Sequence, residues 1–333
     1  MNVLGRIDQL WKEHEGRIEK RIQGWVHDLN AQREKVVAAR RQFRQWAPLR
    51  VYTSVARAKK KGASTFSLRY CGQEVATLIL KPDGKLYVSI AAKTQSANAQ
   101  YFGVPIGTNK SFPWDSPEGR KFRRQFKQHA CESQSTGTPR EHFLESTIIQ
   151  EMQLKTSSKF GRILSQVQPV LLYGILPFQV PIPFAATNGE PKFSEQGGEI
   201  DILARRRGED GHVRLSVWEL KRPGHIRHAV FQSYIYAVTL RYMLRSSSGA
   251  EWFKLFGFRR ALPVSLDVES VVLLSEAKRE EYAAQVAKLC DDNALRINAD
   301  RIILSAAFYD NETLQLTRFE GGIAHPLRKE RTG

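Results

Sequence analysis

The sequence predicts an α/β fold with a mixed central sheet flanked by helices, preceded by an N-terminal α+β region. Three observations carry this. Short apolar segments of strand length lie between turn residues, stretches of helical period alternate with them, and from residue 140 onward the order reads helix, three strands, helix, strand, helix. With 333 residues, the chain is long enough for two domains with a sizeable core.

Residues 1–47 read as helical. Leu4, Ile7, Leu10 and Trp11 recur at spacings of three and four, Ile18, Ile22, Trp25 and Leu29 continue the stripe, and Pro48 stops it. Residues 64–92 read as an antiparallel meander. Phe66, Leu68 and Tyr70 alternate with polar residues, and two apolar runs flank the turn Lys81-Pro82-Asp83-Gly84. Residues 93–116 are loop-like. The basic helix expected at 118–129 carries Phe122 and Phe126, a core stripe, among Arg120, Lys121, Arg123, Arg124 and Lys127. The small polar stretch 130–139 reads as a linker. The expected organisation is a basic helical region at 1–48, a small α+β domain at 49–132 and a larger domain at 139–333.

In the larger domain a helix is expected at 140–154, with Phe143, Leu144, Ile148 and Met152 on its apolar face. A strand at 178–184 follows. Gly197-Gly198 reads as a tight strand entry, since no helix starts there to cradle a phosphate. A hairpin pairs 200–204 with 213–220 across a turn rich in Gly, Asp and Glu, and Pro223 ends its second strand. Then come a helix at 225–244, a strand at 268–274, a helix at 278–289 and strands at 301–309 and 313–319. Trp252, Phe256 and Phe258 lie near Lys254, Arg259 and Arg260. They read as core first and as base-stacking residues second.

Lys and Arg number 51 against 34 Asp and Glu, a net charge of +17. Such an excess favours polyanionic partners, nucleic acid above all. Residues 1–61 hold 15 basic and 6 acidic side chains, and the run Arg57, Lys59, Lys60, Lys61 is a candidate phosphate contact. Cys71, Cys131 and Cys290 are odd in number and widely spaced, against a disulfide framework or a cysteine zinc site. A cytoplasmic protein with reduced thiols is expected. The N-terminus lacks the apolar run of a secretion signal, and no apolar stretch is long enough to span a bilayer, so no membrane partner is expected.

The hairpin carries the chemistry. Charges inside apolar strands are costly unless paired, yet Asp201, Glu219 and Lys221 all sit at strand positions. Side chains alternate between faces, so Glu219 and Lys221 share one face, as do Glu199, Asp201 and Leu203 on the preceding strand. Pairing brings Asp201 and Glu219 to one surface. Two close carboxylates repel unless a cation lies between them, and oxygen donors of this kind suit Mg²⁺ or Mn²⁺.

Asp201 followed by the strand-borne Glu219-Leu220-Lys221 resembles the PD-(D/E)xK nuclease superfamily, over about residues 140–245. The resemblance implies a restriction-endonuclease-like core and metal-dependent hydrolysis of phosphodiester bonds, most readily of DNA. It implies a metal site of Asp201, Glu219, the Leu220 carbonyl and a glutamate from the preceding helix. Glu145 is the candidate, with Glu141 and Glu151 as competitors. Lys221 would orient or deprotonate the attacking water. Gln232 and Tyr236, four apart on the next helix, resemble the Gln-x-x-x-Tyr feature of RecB-like members, whose role would be to contact nucleic acid or brace the lysine. The run Glu219-Leu220-Lys221-Arg222-Pro223 also looks like the nuclease domain of Shedu-type anti-phage proteins, which implies a defence role.

Glu-x-Lys alone is weak: Glu190-Pro191-Lys192, expected in a loop, and Glu276-Ala277-Lys278, at the end of a strand, match it too. The first contains a Pro, and the second lacks an acidic strand partner in a preceding hairpin and is followed by no Gln-x-x-x-Tyr helix. Two other functions stay open: an inactive nucleic-acid-binding scaffold with a nuclease fold, and an RNA-directed nuclease. Self-association into a homo-oligomer, and a regulatory ligand or protein at the N-terminal domain, are open too.

Overall fold

One helix fills the space between two sheets. The computed structural model describes residues 3–38, 49–54, 64–70, 73–90, 111–133, 148, 167–174, 176–207, 212–220, 226–289, 295–311 and 316–321. They form a mixed α/β structure with five helices of more than one turn. The central helix, α3 (Ile226–Arg245), is buried on nearly all sides. That follows from its sequence, IRHAVFQSYIYAVTLRYMLR, in which apolar and aromatic residues leave few purely polar positions.

The N-terminal helix α1 (Val3–Ala38) follows the expected stripe: Ile7, Leu10, Trp11, Ile18, Ile22, Val26 and Leu29 are buried. They join the same core as α3 and strands β8 (Leu176–Thr187) and β9 (Glu190–Ile200). Arg21 Nη1 donates to the Ser194 carbonyl at 2.7 Å, and Arg17 and Arg21 both pair with Glu195. Both guanidiniums also lie over the Phe193 ring, at 5.0 and 4.9 Å. The Tyr242 hydroxyl donates to Asp8 at 3.1 Å. Thus several α1 charges serve to dock the helix. The basic run 57–61 lies outside the described residues.

The first sheet runs β5-β4-β3-β2-β1-β8-β7, with β9 on β8. Its strands are β1 (Leu49–Ser54), β2 (Ser64–Tyr70), β3 (Gln73–Leu80), β4 (Leu86–Ile90), β5 (Ser111–Pro113) and β7 (Leu171–Leu172), besides β8 and β9. The expected turn at 81–84 closes the β3–β4 hairpin, with Gly84 at φ +76°. Helix α2 (Pro117–Ser133) starts on Pro117, with Ser116 Oγ accepting the Gly119 N–H at 3.1 Å. It continues past the expected end at 129, and its Phe122 is buried with Phe112 and Trp114. Strands from both sides of residues 130–139 belong to this sheet, since β1 pairs parallel with β8.

The second sheet runs β13-β14-β12-β11-β10-β6, with β15 on β14. Its strands are β6 (Val167–Pro169), β10 (Ile202–Arg207), β11 (Val213–Leu220), β12 (Asp267–Ser275), β13 (Arg296–Ile297), β14 (Asp300–Tyr309) and β15 (Leu316–Gly321). β11, β12 and β14 are mutually parallel, the rest antiparallel. Parallel neighbours need crossovers: α3 and α4 (Gly249–Leu255) lie between β11 and β12, and α5 (Arg279–Ala287) between β12 and β14. Both faces are covered. Leu215, Val217, Val268 and Val272 face the α3 side, while Trp218, Leu220, Val271 and Leu273 pack with Ile148 on the other. Ile148 is the one described residue of the helix expected at 140–154.

The structure corrects the sequence at β9. Glu190–Lys192, expected in a loop, begins an eleven-residue strand. The turn before it is Asn188-Gly189, with φ of +53° and +81°. Positive φ at both central residues marks the type I′ hairpin that Asn-Gly favours. Pro191 is tolerated because, among the described residues, β9 pairs only with β8 and is an edge.

The far end of α3 is clamped by Asp300. Its carboxylate accepts from Arg241 Nε at 2.6 Å, from Arg245 Nη2 at 2.5 Å and from the Leu266 N–H at 2.8 Å. Burial pushes this carboxyl up, but the Arg245 and Arg241 hydrogen bonds outweigh it and hold the group below the usual carboxylate range. A depressed carboxyl stabilises the fold above its unfolded pKa, and that share is lost as pH falls through the folded value. Unfolding by urea should therefore separate wild type from Asp300→Asn at pH 6, and the gap should shrink below about pH 4.

Candidate functional site

Asp201 is the point at which the chain passes from one sheet to the other. β9 ends at Ile200 in the first sheet, Asp201 forms a bend, and β10 begins at Ile202 in the second. The expected unbroken alternation through 199–203 is broken there. Ile200 and Leu203 lie in the α3-side core, and Ile202 in the opposite one.

The hairpin β10–β11 pairs Ile202 with Trp218. Asp201 therefore stands one residue beyond the last rung, level with Glu219. Its Oδ2 accepts the Leu220 N–H at 3.3 Å, which ties the acid to the backbone of Glu219-Leu220. Glu219 is fully buried and pairs on its other side with Val272 of β12. Alternation with Leu215 and Val217 puts it on the face covered by α3. A carboxylate at the end of a buried strand, with Asp201 beside it, is what the hairpin pattern predicts.

α3 presents Gln232 and Tyr236 from one face, as their spacing requires. Gln232 Nε2 donates to the Tyr236 hydroxyl at 3.1 Å. Gln232 Oε1 is buried and receives no hydrogen bond among the described residues. The tyrosine rests on Gly198, three residues before Asp201. A Cβ there would stand 2.9 Å from the Tyr236 hydroxyl and 2.6 Å from the Phe184 carbonyl oxygen. Gly197, at φ +64°, has its own close approach to the Ile182 carbonyl. Both glycines thus serve strand entry and close packing. The Gly198–Tyr236 contact was not legible in the sequence, because nothing local says which helix will cover the glycine.

Gly198→Ala should cost about 1–3 kcal/mol through this overpacking. A melting point lowered by several degrees would show it, and an unchanged one would mean that Tyr236 does not seat there.

Lys221, Glu145, Glu141 and Glu151 lie outside the described residues. Of the predicted site, the structure brings together Asp201, Glu219 and Leu220 at the hairpin end, and Gln232 with Tyr236 on α3. Among the described residues no three acidic, histidine or cysteine side chains converge as a metal cluster. The rival Glu276-Ala277-Lys278 forms a short 3-10 turn, where Glu276 accepts from Thr317 at 2.7 Å and Lys278 pairs with Glu281 at 3.0 Å. Trp252 and Phe256 are core, as first read. No helix among the described residues is long and apolar enough to cross a membrane.

No family model, curated protein or solved structure matches this chain.

Proposed function

We propose that the chain is a metal-dependent nuclease of the PD-(D/E)xK type, with a restriction-endonuclease-like core, acting on DNA. The observation that carries the reading is the meeting of Asp201 with Glu219-Leu220 at the end of the β10–β11 hairpin. The net charge of +17 suits a polyanionic substrate.

Two carboxylates and the Leu220 carbonyl form a hard-oxygen donor set, which fits Mg²⁺ or Mn²⁺. Glu145, or Glu141 or Glu151 in its place, would complete it. A bound Mg²⁺ supplies Lewis-acid polarisation of the scissile phosphate. Asp201 and Glu219 hold the negative charge that attracts the ion, and the Leu220 N–H fixes the Asp201 carboxylate in place. Lys221 orients or deprotonates the attacking water and offsets charge developing on the phosphate oxygens. Gln232 and Tyr236 brace the lysine or the substrate backbone. Cytoplasmic action, including defence against phage, belongs to the same proposal.

The test is incubation of the full chain with plasmid, single-stranded DNA and RNA, in Mg²⁺ and in EDTA. Cleavage of DNA that EDTA abolishes is the expected result. Cleavage of RNA alone would redirect the substrate. A mobility shift without cleavage in any divalent ion would replace the nuclease by an inactive binding module.

A further inference from the structure

Most buried and half-buried arginines among the described residues face an acid. Arg206 pairs with Glu269, Arg241 with Asp300, Arg21 with Glu195 and Arg214 with Asp267. Arg205, half-buried on β10, makes no ion pair or hydrogen bond among the described residues, and its Nε is buried without an acceptor. Burial alone pulls its pKa down. A guanidinium keeps its charge regardless, so among the described residues this permanent cation has no carboxylate partner.

The surroundings of Arg205 are built rather than loose. Helix α4 ends in a Schellman motif: the Gly257 N–H donates to the Lys254 carbonyl at 2.9 Å, and the Phe258 N–H to the Phe253 carbonyl at 3.3 Å. Gly257 takes the required positive φ, +83°. The apolar contact that accompanies this motif is a parallel stack of Phe253 on Phe258, centroids 4.1 Å apart. The Arg205 guanidinium lies over the Phe258 ring at 5.6 Å.

The loop that follows Phe258 exposes Arg259 and Arg260, and Lys254 is exposed on α4. The loop is pinned by Arg245, whose Nη1 and Nη2 donate to the Pro263 and Val264 carbonyls at 2.8 Å each. The nearby Asp267 is already engaged by Arg301 at 2.6 Å.

We propose that Arg205, seated on Phe258 and flanked by Arg259 and Arg260, is a binding site for a backbone phosphate of a polynucleotide, separate from the Asp201–Glu219 hairpin end. Arg205 is four residues along β10 from Asp201, about 13 Å at strand rise. That distance matches about four steps of a duplex at 3.4 Å each. A phosphate can accept from the Nη–H groups of the guanidinium, and a recessed cation suits a single protruding phosphate better than a flat bilayer. The proposal rests on the nuclease reading for the identity of the polymer, while its grip on phosphate requires no catalysis.

The experiment is fluorescence anisotropy of a labelled DNA oligonucleotide with the full chain in EDTA, across a salt series. Arg205→Met keeps the packing and removes the charge. It should weaken binding about tenfold at low salt and reduce the slope of log affinity against log salt by about one, with Arg205→Lys recovering part of the loss. The exposed pair Arg259→Ser/Arg260→Ser should reduce the slope by about two, and it guards against misfolding of the Arg205 variant. Unchanged affinity and slope in a folded Arg205→Met protein, or no oligonucleotide binding by wild type, overturns the proposal. So does Arg205-dependent binding to phosphatidylglycerol vesicles without binding to oligonucleotide. Arg205-dependent binding without cleavage in Mg²⁺ would instead remove the nuclease reading and leave the phosphate site standing.

Discussion

Asp201→Asn should abolish Mg²⁺-dependent cleavage while leaving oligonucleotide binding in EDTA close to wild type. Asparagine preserves the shape and can still accept the Leu220 N–H, which Asp201 Oδ2 accepts at 3.3 Å. What it removes is the negative charge beside Glu219. Charge stabilisation by a bound metal is worth several kcal/mol, and each 1.36 kcal/mol is tenfold in rate. The expected loss is therefore on the order of 10³-fold. Lys221→Met should lose cleavage on a similar scale by a different route, since metal affinity is retained and the proton or charge partner of the attacking water is gone. Metal titration separates the two. Raising Mg²⁺ should rescue part of the Asp201→Asn rate and none of the Lys221→Met rate. Wild-type cleavage by either variant would remove the assignment.

The site was legible in the sequence to the extent that it is local. Asp201, Glu219 and Leu220 belong to one hairpin, and pairing follows from two short apolar runs around a polar turn. Gln232 and Tyr236 are joined by helical spacing alone. Long-range features were hidden. β9 reads EPKFSEQGGEI, polar and without alternation, and it is a strand because β8 templates it, which overrides propensity. Asn188-Gly189 is the local signal in the sequence that could have marked the hairpin. The bulge that the two glycines permit also sets Phe193 to Glu195 against α1, a docking that no periodicity in α1 announces. Glu269 is the clearest case. It is a charge in an apolar strand like Glu219, and only the neighbouring strands say what it is for.

Glu269 should prove to be structural, and far more costly to remove than Glu219. It is fully buried near the start of β12, bonded to Arg206 on β10 through Nε at 2.6 Å and through Nη2. Ser216 on β11 and Ser305 on β14 donate to the same carboxylate at 3.0 and 2.8 Å. One acid thus ties four adjacent strands, with the Arg206 guanidinium over Phe319 at 4.5 Å. Breaking a buried pair strands the remaining charge, at about 3–5 kcal/mol. Glu269→Ala should therefore lower the melting temperature by roughly 4–7 °C. The double variant Arg206→Met/Glu269→Leu should recover much of it, because replacing both partners by apolar groups removes the stranded charge along with the pair. Neither result should depend on Mg²⁺. Glu219→Gln gives the opposite pattern: the amide keeps the shape and sheds a desolvation cost, so cleavage disappears without a comparable fall in melting temperature. Two buried glutamates on neighbouring strands are then told apart by the measurement: Glu269 is held by a guanidinium and two hydroxyls, and for Glu219 the proposed role is to hold an exchangeable ion. If Glu269→Ala melts within about 2 °C of wild type, well short of the cost of a broken buried pair, that distinction fails.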